Sequence, residues 1–140
     1  MKKLIVILVI LTIILIALSA IWKNDQNISE SIKIIYDNKE YVLPINDLEN
    51  YNKIDFKAGN KNRYTGYSFY EILDSLQITS FSIIIFHSID GGKLTLERSK
   101  FEKLYFIIQE GDKAQHIRLM IPEEKYKQRC MKYISTIELQ

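Results

Sequence analysis

From Leu4 to Trp22 the chain is an uncharged apolar run broken only by Thr12 and Ser19, and Lys2 and Lys3 stand just before it. At about 1.5 Å rise per residue, a helix of this length approaches the ~30 Å hydrocarbon layer of a bilayer. Trp22 followed by Lys23 suits the interface. The pattern predicts one N-terminal transmembrane helix over residues 1–22, retained as an anchor. A cleaved signal peptide is the alternative, with Lys2 and Lys3 as its charged region and Leu18-Ser19-Ala20 offering small residues to a peptidase. Such apolar regions are usually shorter, about 7–15 residues. In either case the positive-inside rule holds Lys2 and Lys3 in the cytoplasm and sends the rest across the membrane, anchored or, after cleavage, secreted. No cysteine stands at the end of the run to carry a lipid.

Residues 23–30 are mostly polar and read as a linker to a single domain over 31–140. Ile32–Tyr36 and Tyr41–Leu43 are β-branched and aromatic runs split by Asp37-Asn38-Lys39-Glu40, a hairpin pattern that Pro44 closes. Asn46-Asp47-Leu48-Glu49 fits an N-cap with a glutamate three residues on and predicts a short helix through Tyr51. From Ile54 to Tyr67 the polar and glycine content rises, and the segment reads as loop. Ser68-Phe69-Tyr70-Glu71 repeats the capping pattern, and Phe69, Ile72, Leu73 and Leu76 then fall on one helical face. Ser80–Ser88 has a fully apolar centre and predicts a strand buried on both sides. Lys93–Leu96, Leu104–Ile108, Ile117–Ile121 and Ile134–Leu139 read as further strands, with a capping pattern at Ser99–Glu102 and a turn at Gly111-Asp112. Strands outnumber helices and regular βαβ alternation is missing, so the expected class is α+β, a single β-rich domain.

Charge narrows the functions. Lysine and arginine total 19 against 17 acidic residues, and Lys2 and Lys3 account for the whole excess. The exported domain is therefore neutral, which argues against a nucleic-acid partner. Basic clusters at Lys53-Lys57-Lys61-Arg63 and Lys125-Lys127-Arg129-Lys132 read as solvated surface. Cys130 is the single cysteine and has no internal disulfide partner.

The stretch His87-Ser88-Ile89-Asp90-Gly91-Gly92 places a histidine, an aspartate and two glycines together. A general-base dyad would need a third partner and a pocket. A phosphate loop would open into a helix, whereas Lys93–Leu96 reads as strand. The stretch is accordingly expected to be a turn, with His87 closing a core strand. His116 stands two residues before Arg118, far from His87 and without metal-ligand spacing, so no metal site is expected. Tyr64, Tyr67 and Tyr70 are expected to be half-buried strand residues.

Four segments taken in order carry a resemblance: "YTGYSFYEILDSLQI" (Tyr64–Ile78), "FHSIDGGKLTLERSKF" (Phe86–Phe101), "IRLMIP" (Ile117–Pro122) and "CMKYISTIEL" (Cys130–Leu139). Together, over Pro44 to Leu139, they resemble the molybdopterin-binding domain of the sulfite oxidase family. The resemblance implies that fold, and a molybdopterin cofactor whose molybdenum is held by a cysteine thiolate, the soft anion such a metal requires. In "KAGNKN" Lys57 stands where that cysteine would fall, and the Asp-Gly-Tyr signature has become Asp90-Gly91-Gly92. The usual cluster of histidines and arginines around the pterin phosphate is also missing. The resemblance therefore implies a membrane-anchored extracytoplasmic binding or accessory module without molybdenum ligation. Its cofactor-binding candidates are Lys57, Arg63, His87, Asp90, Arg118 and Lys132, and no residue is assigned to catalysis. The alternative is an active molybdopterin-dependent oxidoreductase or a subunit of one, with Arg63, Arg118 and Lys132 on the pterin phosphate. A third reading is an interaction protein that offers an exposed strand or tyrosine surface to a membrane partner.

Overall fold

The structure, a computed structural model, describes residues 7, 9–18, 31–59, 61–111, 114–123 and 130–140. The domain opens with β1 (Ser31–Tyr36) and β2 (Lys39–Pro44), an antiparallel hairpin. Asp37 and Asn38 turn it with φ of 50° and 58°. Positive φ at both central residues is the turn whose twist matches paired strands, and Asp and Asn tolerate it best among residues with side chains. A 3-10 helix (Ile45–Asn50) follows and buries Ile45 and Leu48. Next come β3 (Lys53–Ala58), β4 (Asn62–Ser68) and an α-helix (Phe69–Ser75). β5 (Ile83–Ser88), β6 (Lys93–Glu97), a second 3-10 helix (Arg98–Lys103), β7 (Tyr105–Glu110), β8 (Gln115–Met120) and β9 (Ile134–Leu139) complete the described domain.

The strands form two sheets, ordered β2-β1-β9-β5-β6 and β3-β4-β7-β8. All described pairings are antiparallel except β1 with β9, which run parallel at the centre of the first sheet. Between the sheets lies the main core. Phe69, at the start of the α-helix, packs 5.7 Å from Phe86 on β5 and 5.2 Å from Phe106 on β7, and all three are fully buried. Their tilted and edge-on contacts are the arrangements aromatic rings prefer. A smaller cluster of Ala58, Ile107, Met120 and Cys130, with Phe56, Tyr64 and Tyr105 against it, covers part of the outer face of the second sheet. The strand pleat separates the two cores: Phe106 and Leu119 point inward, while Ile107 and Met120 point outward.

Several expectations are corrected. The domain is mostly β with two sheets, in place of an α+β domain of the sulfite-oxidase type behind one transmembrane helix. Residues 54–67, read as loop, supply β3 and β4, and two of the three capping patterns yield only 3-10 helices, whose N-caps make no side-chain hydrogen bond. Ser68 does occupy the N-cap of the α-helix, again without a side-chain bond. Among the described residues no helix is long and apolar enough to cross a membrane. The described helical stretch at the N-terminus is residues 9–18 together with residue 7, and ten residues rise only about 15 Å. The linker assigned to 23–30 and position 112 of the Gly111-Asp112 turn lie outside the described residues. β5 is also less enclosed than expected, since Ile83 is 37% exposed.

Candidate functional site

The most unusual surroundings in the domain lie on the outer face of the second sheet, along β8. Pleating places His116, Arg118 and Met120 on that face in succession. After residue 129 the chain returns beside β8, where the Leu119 amide donates to the Met131 carbonyl at 2.8 Å. This return delivers Cys130 into the outer cluster and brings Lys132 and Tyr133 up to His116. The Tyr133 ring stacks on the His116 imidazole, with centroids 4.3 Å apart and planes 30° from parallel. Tyr133 reaches this position with φ of 56°, a left-handed backbone that a bulky residue adopts at a cost of about 1–3 kcal/mol. Its carbonyl accepts the Ile89 amide at 3.0 Å, which ties the strained residue to the β5–β6 turn.

His116 is 7% exposed, yet neither ring nitrogen has a hydrogen-bond partner. Among the described residues four buried side-chain nitrogens lack an aligned partner, and three of them belong to His116 and Arg118. A buried polar group left unpaired costs about 1–3 kcal/mol, so such a concentration marks a place built for something other than packing. Burial, followed by the charges of Lys132 and Arg118, holds the imidazole below its ordinary pKa of 6.5. Neither Arg118 nor Lys132 takes part in the ion pairs found among the described residues. The site therefore offers N–H donors and two positive charges that no described carboxylate pairs, a combination that matches an oxyanion.

The six residues singled out from the sequence do not converge. Arg118 and Lys132 meet at His116. Lys57 and Arg63 are directly opposite one another across the β3–β4 hairpin, both exposed. They alternate with Phe56 and Tyr64 of the outer cluster, so they leave the sheet by the face opposite Arg118. His87 and Asp90 belong to the first sheet. His87 is half-buried rather than part of the core, and its Nε2 lies 3.0 Å from Glu138 Oε1, an ion-pair distance without hydrogen-bond alignment. Asp90 accepts the Ser88 hydroxyl and, at 3.4 Å, the Gly92 amide. Those bonds, the hydroxyl first, hold its carboxyl below the usual range. Gly91 at φ 87° completes a turn.

Sequence reasoning passed over His116 because it was weighed as a metal ligand. The usable signal was the two-residue spacing to Arg118, which in a strand puts both on one face. An open cleft of about 270 Å³ lies elsewhere, between the first 3-10 helix and the inner face of the second sheet, and Asn46, Glu49, Lys53, Thr65 and Gln115 supply its polar lining. None of the six candidates borders it.

The side chains do not fit a molybdenum centre. Lys57, at the position the resemblance gives the ligating cysteine, is an ammonium on the opposite face, and Cys130 packs in an apolar cluster with Ala58, Ile107 and Met120. Among the described residues no three of His, Cys, Asp and Glu gather to hold a metal. No protein-family model matches the chain, and no curated protein matches it.

Proposed function

We propose that this chain is a membrane-associated, extracytoplasmic binding module that takes an oxyanion-bearing ligand on the outer face of its second sheet and carries out no molybdenum chemistry. The observation that carries this reading is buried His116 with two unpartnered ring nitrogens, beside the unpartnered Nε of half-buried Arg118 and an exposed Lys132 that joins no ion pair among the described residues. Arg118 supplies a planar fork of donors and Lys132 a mobile point charge, the two complementary ways in which proteins hold phosphate-like groups. Of the three residues the resemblance sets on a pterin phosphate, Arg118 and Lys132 lie here, whereas Arg63 leaves the sheet by the opposite face. Association with a membrane draws support from the described N-terminal helical residues. Ile10, Ile13, Ile14 and Ile16 are 51–67% exposed, and neither hydrophobic cluster includes them.

Inorganic sulfate titrated into the purified full chain tests the ligand class. Saturable binding is expected, weakened roughly 10- to 100-fold by Arg118→Ala or Lys132→Ala, the loss typical of a charge-assisted bond. Undiminished binding in both variants would place the anion elsewhere. Stoichiometric molybdenum in protein purified from a cofactor-competent host would overturn the reading that no molybdenum is ligated.

A further inference from the structure

The anion recess contains a group that its charge alone does not require. Lys132 and Arg118 suffice to attract an oxyanion, whereas His116 is costly there as a buried imidazole with two idle nitrogens. Its neighbours explain what it can do. From β8 it faces Arg118. From the returning segment it faces Lys132 and the Tyr133 ring. From β7 its cross-strand partner is Gln109, and Gly111 lies against its Nδ1 edge, both uncharged. No described carboxylate touches it, and the two described charges that act on the imidazole both oppose a third positive charge.

We infer that binding of an oxyanion between Arg118 and Lys132 is coupled to uptake of one proton by His116, which makes the module an acid-favoured anion receptor. The inference rests on the anion site proposed above and adds its regulation. An anion there offsets the repulsion from the two cations and supplies an opposite charge near an imidazole that is itself 7% exposed, where Coulomb terms are stronger than in water. The imidazolium that was disfavoured becomes favoured. Each ring nitrogen of the cation is then a donor, so the two idle atoms become two atoms fit for an acceptor. The Tyr133 ring stacked on the imidazole gains as well, because a cation over an aromatic face is attracted to it. Direct contact between anion and histidine is not needed, since the coupling is carried by charge.

Linkage fixes the sign. The free-state pKa lies below 6.5 and the bound-state value above the free one, so affinity rises as pH falls through the bound-state value and levels off below the free-state value. The gain amounts to about tenfold for each unit by which the anion raises the histidine pKa.

The chain has only two histidines, which makes the test direct. His87→Gln leaves a single imidazole, whose Cε1 proton can be followed by NMR from pH 5.5 to 8 with and without inorganic sulfate, a probe that stays dianionic throughout. The His116 resonance is expected to titrate below 6.5 in the free chain and at least one unit higher with saturating sulfate. Calorimetric affinity for sulfate is expected to fall about tenfold between pH 5.5 and 8 in the His87→Gln chain. In His116→Gln that dependence should flatten while binding persists. Sulfate bound with equal affinity across the range, or with an unmoved His116 titration, overturns the coupling and leaves the anion site standing. Absence of sulfate binding at every pH overturns both. Should His116→Gln unfold, the histidine titration of the His87→Gln chain decides alone.

Discussion

Gly66 sits where β4 passes beneath the Phe56 ring. A Cβ there would fall 2.5 Å from the Phe106 carbonyl oxygen, 2.9 Å from Ile107 Cγ2 and 3.2 Å from Phe56 Cε1. The first of these is backbone inside a sheet and cannot give way. The missing side chain also lets Phe56 lie across β4 and stack on Tyr105, with centroids 4.2 Å apart and planes 14° from parallel. Gly66→Ala is expected to destabilise the domain by about 1–3 kcal/mol, the usual cost of overfilling a packed site, and to lower the melting temperature by several degrees. An unchanged thermal transition would mean that the second sheet spreads to admit a methyl group. In the sequence this glycine read as loop punctuation. Nothing in the linear order announces that the ring of Phe56 crosses over it.

At the level of elements, legibility followed the balance of apolar residues. β1, β2, β6, β7, β8 and β9 were each readable within a residue or two, and β5 within three at its start, because burial between the sheets demands aliphatic and aromatic runs. β3 and β4 were not. Lys53-Ile54-Asp55-Phe56-Lys57-Ala58 does alternate, but only three of its six positions are apolar, as suits an edge strand whose other side carries charge. The signal was present at period two, and its glycine-rich surroundings outweighed it. The capping patterns misled for a related reason. Asn46 and Ser99 lie inside short 3-10 helices rather than at their caps. The β1–β2 hairpin was legible, although the split read at Asp37-Asn38-Lys39-Glu40 narrows to Asp37-Asn38 because Lys39 and Glu40 belong to β2, and the turn can be tested. Asn38→Gly should hold or raise stability, whereas Asn38→Val, a branched side chain forced to φ of 58°, should lose about 1–2 kcal/mol by urea unfolding. Equal midpoints for the two variants would show that the hairpin tolerates another turn.

For the molecule as a whole, the proposed anion site depends on order that only the completed fold creates. Arg118 and Lys132 belong to different segments, and they meet because the chain after residue 129 runs back along β8 before entering the first sheet as β9. No spacing rule in the sequence encodes that return. β9 lies between β1 and β5, pairs with both, and places Ile134, Ile137 and Leu139 in the core. A chain ending at residue 132 should therefore fail to form the first sheet at all. Circular dichroism is expected to show it unfolded at temperatures where the full chain is native, and a cooperative transition in the shortened chain would contradict the topology.

The central position of β9 also bears on biosynthesis. While the polypeptide is being made, the strands on either side of this gap have no shared neighbour, and β1 must wait roughly a hundred residues for its parallel mate. The first sheet becomes continuous only once β9 is available to join its two hairpins. Until β9 is made, the β1–β2 and β5–β6 hairpins remain separate pieces of one sheet.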